Sequence, residues 1–255
     1  MALKFSEICS RLETWYQSPR GQYLLQQEQA LTSELLNNVF GYHQLQIGAT
    51  RHQALAPDSQ LSHKIYSHLL SGGDIGLQSE PDCLPLANDS IDVVVLHHAL
   101  EFCEGPHALL REAHRVLAPQ GQLVVVGFNP ASLYGLGTRV AGLFPQRVWS
   151  NAHHIGTRRL RDWLDLLGAE LQAVQHCFVT PPAGGERVFR FLSRCDRLAT
   201  RYQLPLGGVY VIRAQKKVST LTPNRIRWRK PVRSRLIGLT VPKPVASPRE
   251  GDVAA

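Results

Sequence analysis

Apolar residues occur along this chain in two distinct rhythms, and the alternation between them predicts an α/β fold. Ile91 to Leu96 is an almost unbroken β-branched run, the pattern of a strand buried on both faces. From Pro106 to Leu117 the spacing turns helical, with Leu109, Leu110, Ala113, Val116 and Leu117 on one side and Arg111, Glu112, His114 and Arg115 on the other. Pro119-Gln120-Gly121 stops that helix, and Leu123 to Val126 is a second buried strand. A strand, a crossover helix and a strand make a right-handed βαβ unit, hence a parallel sheet with helices on its faces.

The same two rhythms extend on either side. Phe5 to Gln17 predicts an amphipathic helix on Phe5, Ile8, Leu12 and Trp15. Ser18-Pro19-Arg20-Gly21 predicts a break, and Gln22 to Phe40 a second helix on Leu24, Leu25, Leu31, Leu35, Leu36 and Val39. Strands are expected over Tyr42–Ile47, Lys64–Leu70, Ile75–Ser79, Ala169–Val179 and Val209–Ala214. A helix is expected over Thr157–Leu167, capped by Gly168, and an inserted helix over Arg187–Arg201. The total is a mostly parallel seven-stranded sheet preceded by two helices.

Charge changes this picture at one end. Residues 215–255 hold ten Lys and Arg against two Asp and Glu, a net +8 that equals the charge of the whole chain. The other residues are balanced, so the basic object is the tail and not the domain. Five prolines recur in that tail and no periodicity survives, which predicts a disordered segment. The expected organisation is N-terminal helices over 1–41, a domain over 42–214 and a basic tail over 215–255. Arg225, Arg227, Arg229 and Lys230 surround Trp228, a pattern suited to nucleic acid through residues 215–235, by phosphate contacts and one stacked base. An anionic membrane surface and a purely solubilising tail are the other readings. The length suffices for one large α/β core with an appendage. Cys9, Cys83, Cys103, Cys177 and Cys195 form no C-x-x-C pair, which argues for reduced thiols and no zinc site. The first residues carry no secretory apolar core, and no apolar run reaches the roughly 20 residues of a bilayer span. A cytoplasmic protein with no membrane span is expected.

The segment from Gly76 to Pro130 carries a family resemblance. Glu80 stands four residues before Leu84-Pro85. A turn at Ala87-Asn88-Asp89-Ser90 leads into Ile91-Asp92-Val93-Val94, then His97-His98-Ala99-Leu100-Glu101 and Leu110-Arg111-Glu112-Ala113-His114-Arg115-Val116-Leu117-Ala118-Pro119-Gln120-Gly121. This order resembles the class I S-adenosylmethionine-dependent methyltransferases, in particular the type-11 methyltransferase domain. The resemblance implies a three-layer Rossmann-like fold, S-adenosyl-L-methionine as cofactor and a methyl acceptor that the sequence does not identify.

It also implies site residues. The family's glycine-rich turn after the first strand corresponds to Gly48-Ala49-Thr50-Arg51-His52, where only the first glycine is kept. Gly48, Ala49 and Thr50 are the implied cofactor contacts there, in a pocket either remodelled or decayed. Asp74 comes late for the acid that usually anchors the ribose. Glu80 is the implied acceptor for the adenine amino group, with Cys83 and Leu84 against the ring; Pro81 offers no N–H. His97 resembles the position that closes over the cofactor, and His98 is the candidate proton acceptor. No metal-ligand cluster is visible in the sequence. The Asn-Pro-Pro-aromatic motif of base-amine methylation is absent. Asn129 through Ser150, with Tyr134 and Trp149, is the expected acceptor wall. Two functions remain open at this point: a methyltransferase, or a non-catalytic protein of the same fold acting as an RNA-associated or adaptor factor through its tail.

Overall fold

The computed structural model of the chain describes residues 5–48, 50–51, 54–69, 72, 75–132, 134–137, 152–177, 207–217 and 243. Two helices lead, α1 (Phe5–Tyr16) and α2 (Pro19–Leu36). Three strands follow, β1 (His43–Gly48), β2 (His63–His68) and β3 (Leu77–Gln78). Then come β4 (Ile91–His97), α3 (Ala99–Phe102), α4 (Pro106–Val116) and β5 (Leu117–Phe128), and finally α5 (Thr157–Leu167), β6 (Ala169–Cys177) and β7 (Val209–Lys216). Compactness divides the chain into residues 1–219 and 220–255, and of the latter only Lys243 is described. The helix expected over 187–201 and the tail from residue 218, Lys243 apart, lie outside the described residues.

Among the described residues the sheet has seven strands in the order β3-β2-β1-β4-β5-β7-β6. The pairs among β1 to β5 are parallel, and β7 enters antiparallel between β5 and β6. Strand order reverses between β1 and β4. In open parallel sheets that reversal opens a crevice beyond the carboxyl ends of the strands. Gly48 and His97 are register partners there, so the last residues of the two strands lie side by side.

Successive residues of β4 explain its unbroken apolar run. Val93 and Val95 face the layer of α1 and α2, where they meet Leu12, Leu24 and Leu36. Val94 and Leu96 face the opposite layer, with Leu109 and Leu110 of α4 and Leu160 and Leu164 of α5. With both faces covered, alternation has nothing to select for.

Three local devices set the element ends. The Ser18 side chain accepts a hydrogen bond from the Gly21 N–H, and Pro19 occupies the first turn of α2. The predicted break is therefore a helix start, because serine caps and proline is preorganised at that position. Gly168 ends α5 in the left-handed region at φ 77. Carbonyls at two helix C-termini are met by cations from β7: Arg213 donates to the Leu35 carbonyl at 2.7 Å, and Lys216 to those of His114 and Leu117 at 2.9 and 2.7 Å. β5 starts earlier than its apolar core suggests, because Leu117 already pairs with Ile91 before the register shifts at Val93.

On α5, Leu164 is fully buried while Leu166 is 85% exposed. Leu164→Ala is expected to lower the unfolding free energy by about 2–5 kcal/mol, by transfer and cavity costs. Leu166→Ala should stay within about 0.5 kcal/mol. Urea unfolding midpoints of the two variants check the assigned face of the helix.

Candidate functional site

Three loops at the carboxyl edge of the sheet enclose a pocket of about 180 Å³, lined by Leu69, Glu80, Pro81, Asp82, Cys103, Glu104 and Gly105. Each stretch follows the carboxyl end of a strand: Leu69 follows β2, Glu80 to Asp82 follow β3, and Cys103 to Gly105 follow β4 and the short α3. The Cys83 N–H donates to the Glu80 carbonyl at 3.2 Å, which folds the loop tightly. α4 fixes the next residues. The Leu84 N–H donates to Glu112 at 3.0 Å, while Arg115 donates to the carbonyls of Leu84 and Leu86 at 3.1 and 3.0 Å. The pocket thus has an apolar wall at Leu69 and carboxylates at Glu80, Asp82 and Glu104, which can accept from the amino group of a flat heteroaromatic ring.

The turn after β1 meets this edge from the other side. A Cβ on Gly48 would stand 3.2 Å from the Thr50 carbonyl oxygen, tighter than an ordinary contact. Glycine there lets the chain fold back close to the strand end. Thr50 is buried. Arg51 reaches away to Glu13 of α1: its Nε and Nη2 donate to the carboxylate at 2.8 and 2.9 Å, and its own N–H donates at 3.0 Å. This bidentate pair straps α1 across the turn.

At the carboxyl end of β4 lies a buried polar cluster. Glu28 of α2, His97, His98 and Glu101 are each at most 2% exposed, and Tyr16 of α1 at 1%. One Glu28 oxygen lies 2.8 Å from His98 Nε2, and the other lies 3.1 Å from His97 Nε2. The Tyr16 hydroxyl stands 3.3 Å from His97 Nε2 and 3.5 Å from Glu28. His98 Nδ1 is 2.8 Å from Glu101, whose other oxygen accepts from the Phe128 N–H of β5. His98 holds a left-handed backbone at φ 50, and its ring stacks on Phe128 at 4.1 Å. A non-glycine residue in that region persists only when its surroundings hold it, and here the two carboxylates and Phe128 do so.

The charge states follow from these contacts. Burial pushes the Glu28 carboxyl up, but His98 and His97 outweigh it and hold it down at about 2. Burial pushes the His98 imidazole down, but Glu101 and Glu28 raise it to about 10. His97 is lowered, burial being the first cause, and is neutral. An ionised carboxylate only accepts, so His98 donates from both nitrogens and His97 donates from Nε2. His97 Nδ1 is then a bare lone pair, buried with no hydrogen-bond partner.

The residues expected from the sequence divide into three groups. Glu80 lines the pocket, and Gly48, Thr50 and His97 meet at the ends of β1 and β4. Leu84 is 4% exposed and packs into the layer of α4 and α5, while Cys83 is exposed beside Glu80. Ala49, Asp74 and Trp149 lie outside the described residues. Tyr16, Glu28 and Glu101, along with Leu69 and Cys103, were not singled out by the sequence. One signal was available for Glu28: it falls on the stripe of Leu24, Leu31 and Leu35, an acid on the apolar side of its helix. The nucleoside end of S-adenosylmethionine fits what the edge provides, namely an apolar wall, a carboxylate acceptor and a close turn at Gly48.

The cluster predicts a pH response. Glu28's folded value lies below its ordinary 4.5, so its stabilisation is present above about 4.5 and lost as pH falls toward 2. His98's folded value lies above 6.5, so its share is present below about 6.5 and lost as pH rises toward 10. Glu28→Gln should flatten the acid limb of a plot of urea midpoint against pH. An acid limb identical to wild type would contradict the assigned ionisation.

Comparison with known proteins agrees with the architecture. The family described as "Methyltransferase domain" matches residues 53–125. Protein YafS of Escherichia coli (strain K12), itself uncharacterised, is 30% identical over 218 residues, 86% of each chain. The biotin biosynthesis bifunctional protein BioHC of Saccharophagus degradans is 27% identical over 108 residues, 41% of this chain and 18% of that one. A solved S-adenosylmethionine-dependent methyltransferase from Thermotoga maritima shares the fold with a TM-score of 0.60 at 20% identity, over 84% of this chain and 100% of that one. By its sheet order, its edge crevice and these likenesses, the chain is a relative of YafS that carries a class I S-adenosylmethionine-dependent methyltransferase domain of the type-11 kind.

Proposed function

We propose that the chain transfers the methyl group of S-adenosylmethionine to a small nucleophile that reaches the carboxyl edge between β1 and β4, with the adenine held in the Leu69–Glu80–Cys103 pocket. The observation that carries this reading is that pocket: its carboxylate and its apolar wall lie on the same edge as the Gly48 turn. Glu80 accepts from the adenine amino group, and Leu69 and Cys103 flank the ring. Pro81 has no N–H to offer, so polar recognition of the ring falls to the side chains of the pocket, Glu80 first among them. Gly48 and Thr50 bring the backbone close to the methionine and ribose portion. The main chain of His97 borders that turn, while its ring points into the buried cluster. When bound, the cofactor supplies a sulfonium methyl that is electrophilic enough for direct displacement.

The protein's part is then mainly positioning, which can replace much of the entropic cost of bringing two reactants together. His98 is a positioning residue in this reading. Both of its nitrogens are engaged by carboxylates, so it fixes the end of β4 and takes no proton from the acceptor. His97 is likewise turned inward. The acceptor is therefore one that is nucleophilic without help from either ring: a carboxylate, a thiolate or an unprotonated amine. The comparisons give the adaptor reading no support. No helix among the described residues is long and apolar enough to cross a membrane.

Glu80→Ala removes one hydrogen bond to a charged acceptor, a loss of about 1.5–3 kcal/mol. Calorimetric titration with S-adenosylmethionine should show binding weakened about 10- to 100-fold, with an unchanged far-UV circular dichroism spectrum. Methyl transfer from labelled cofactor into a cell extract should fall in parallel at low cofactor concentration. Equal affinity in the variant and wild type would remove Glu80 from the site.

A further inference from the structure

We propose that Glu28, His97 and His98 form a buried site for one divalent transition-metal ion, zinc being the ion their chemistry suits. The ligand atoms of Glu28, His97 and His98 lie within 4.8 Å of one another, and all three side chains are buried. Two Nε2 atoms converge on the two oxygens of a single carboxylate, at 2.8 and 3.1 Å. The Tyr16 hydroxyl borders the group, 3.3 Å from His97 Nε2 and 3.5 Å from Glu28. Ligands bound tetrahedrally at about 2.0–2.1 Å stand roughly 3.3 Å apart, and the two Glu28–histidine distances of 2.8 and 3.1 Å are close to that spacing. Imidazole and carboxylate suit zinc, and two histidines with one carboxylate are a set that binds it with the fourth position left to a water.

The surroundings have the form that metal sites need. Glu101 faces His98 Nδ1 at 2.8 Å and fixes the ring so that Nε2 points at Glu28. A carboxylate behind a ligating histidine sets its tautomer and raises its basicity. Glu101 is itself anchored by the Phe128 N–H. Some cation must stand between Glu28 and the rings, because a carboxylate and a bare ring nitrogen repel at hydrogen-bond distance. A proton meets that need in the metal-free protein, and the ion meets it at several atoms at once. The ligands come from α2 and the end of β4, so the ion would pin the helical layer to the edge of the sheet. This goes beyond the proposed methyl transfer, which routes no step through it.

The test uses untagged full-length protein purified without chelator. Elemental analysis should find about one zinc ion per chain, bound on folding. Protein unfolded with chelator and refolded with cobalt(II) should show the visible absorption of a tetrahedral ion. His97→Ala leaves the Glu28–His98–Glu101 chain in place; it should lose both signals while keeping its circular dichroism spectrum. Glu101→Gln should weaken metal affinity about 10- to 100-fold. The exposed pair His43 and His63, with Nδ1 atoms 2.9 Å apart, is the internal control, and the double alanine variant there should still bind. Absence of metal together with absence of a cobalt spectrum overturns the proposal. So does binding that survives His97→Ala and disappears with the His43/His63 pair.

Discussion

Glu28 places a full negative charge inside the protein, between a helical layer and the edge of a sheet. A lone carboxylate there would be strongly disfavoured. It is tolerated because His98 and His97 face its two oxygens, at 2.8 and 3.1 Å. The contact works in both directions. α2 cannot shift without exposing a charge pair to a poorer environment, and the left-handed turn at His98 cannot relax while both ring nitrogens are held. Removing one member of such a set costs far more than the set contributes over an apolar substitute, so the cluster fixes one arrangement more than it adds stability.

That fixed arrangement reaches the cofactor edge along short paths. His97 is the register partner of Gly48, and its main chain borders the turn after β1. The Arg51–Glu13 pair ties α1 to the same turn. α3 leads from His98 directly into Cys103, Glu104 and Gly105, one wall of the ring pocket. Where the family's second and third glycines are missing, Arg51 ties the turn to α1 through Glu13.

Much of the fold could be read from residue pattern, and the site much less so. The continuous run of β4 announced burial on both faces, and α4 and α5 start where their apolar spacing starts. Ser18-Pro19 looked like a break because its cap bond to Gly21 appears only once the helix forms. Glu80 stands out by resemblance, because its spacing to Leu84-Pro85 is local, and it lines the edge pocket. Leu84 could not, since whether it meets a ligand or the core depends on where α4 lies. Glu28 is the extreme case. It lies on an apolar stripe, but its partners, His97 and His98, are reached only by folding α2 onto β4. The turn residue Ala49 and the ribose candidate Asp74 lie outside the described residues.

The most direct measurement is a crystal structure of the full chain with S-adenosylhomocysteine, the demethylated product. The account predicts the adenine between Leu69 and Cys103, its amino group on the Glu80 carboxylate, and the sulfur beside Gly48 and His97. Adenine seated elsewhere on the chain, or no bound ligand at millimolar concentration, would contradict it.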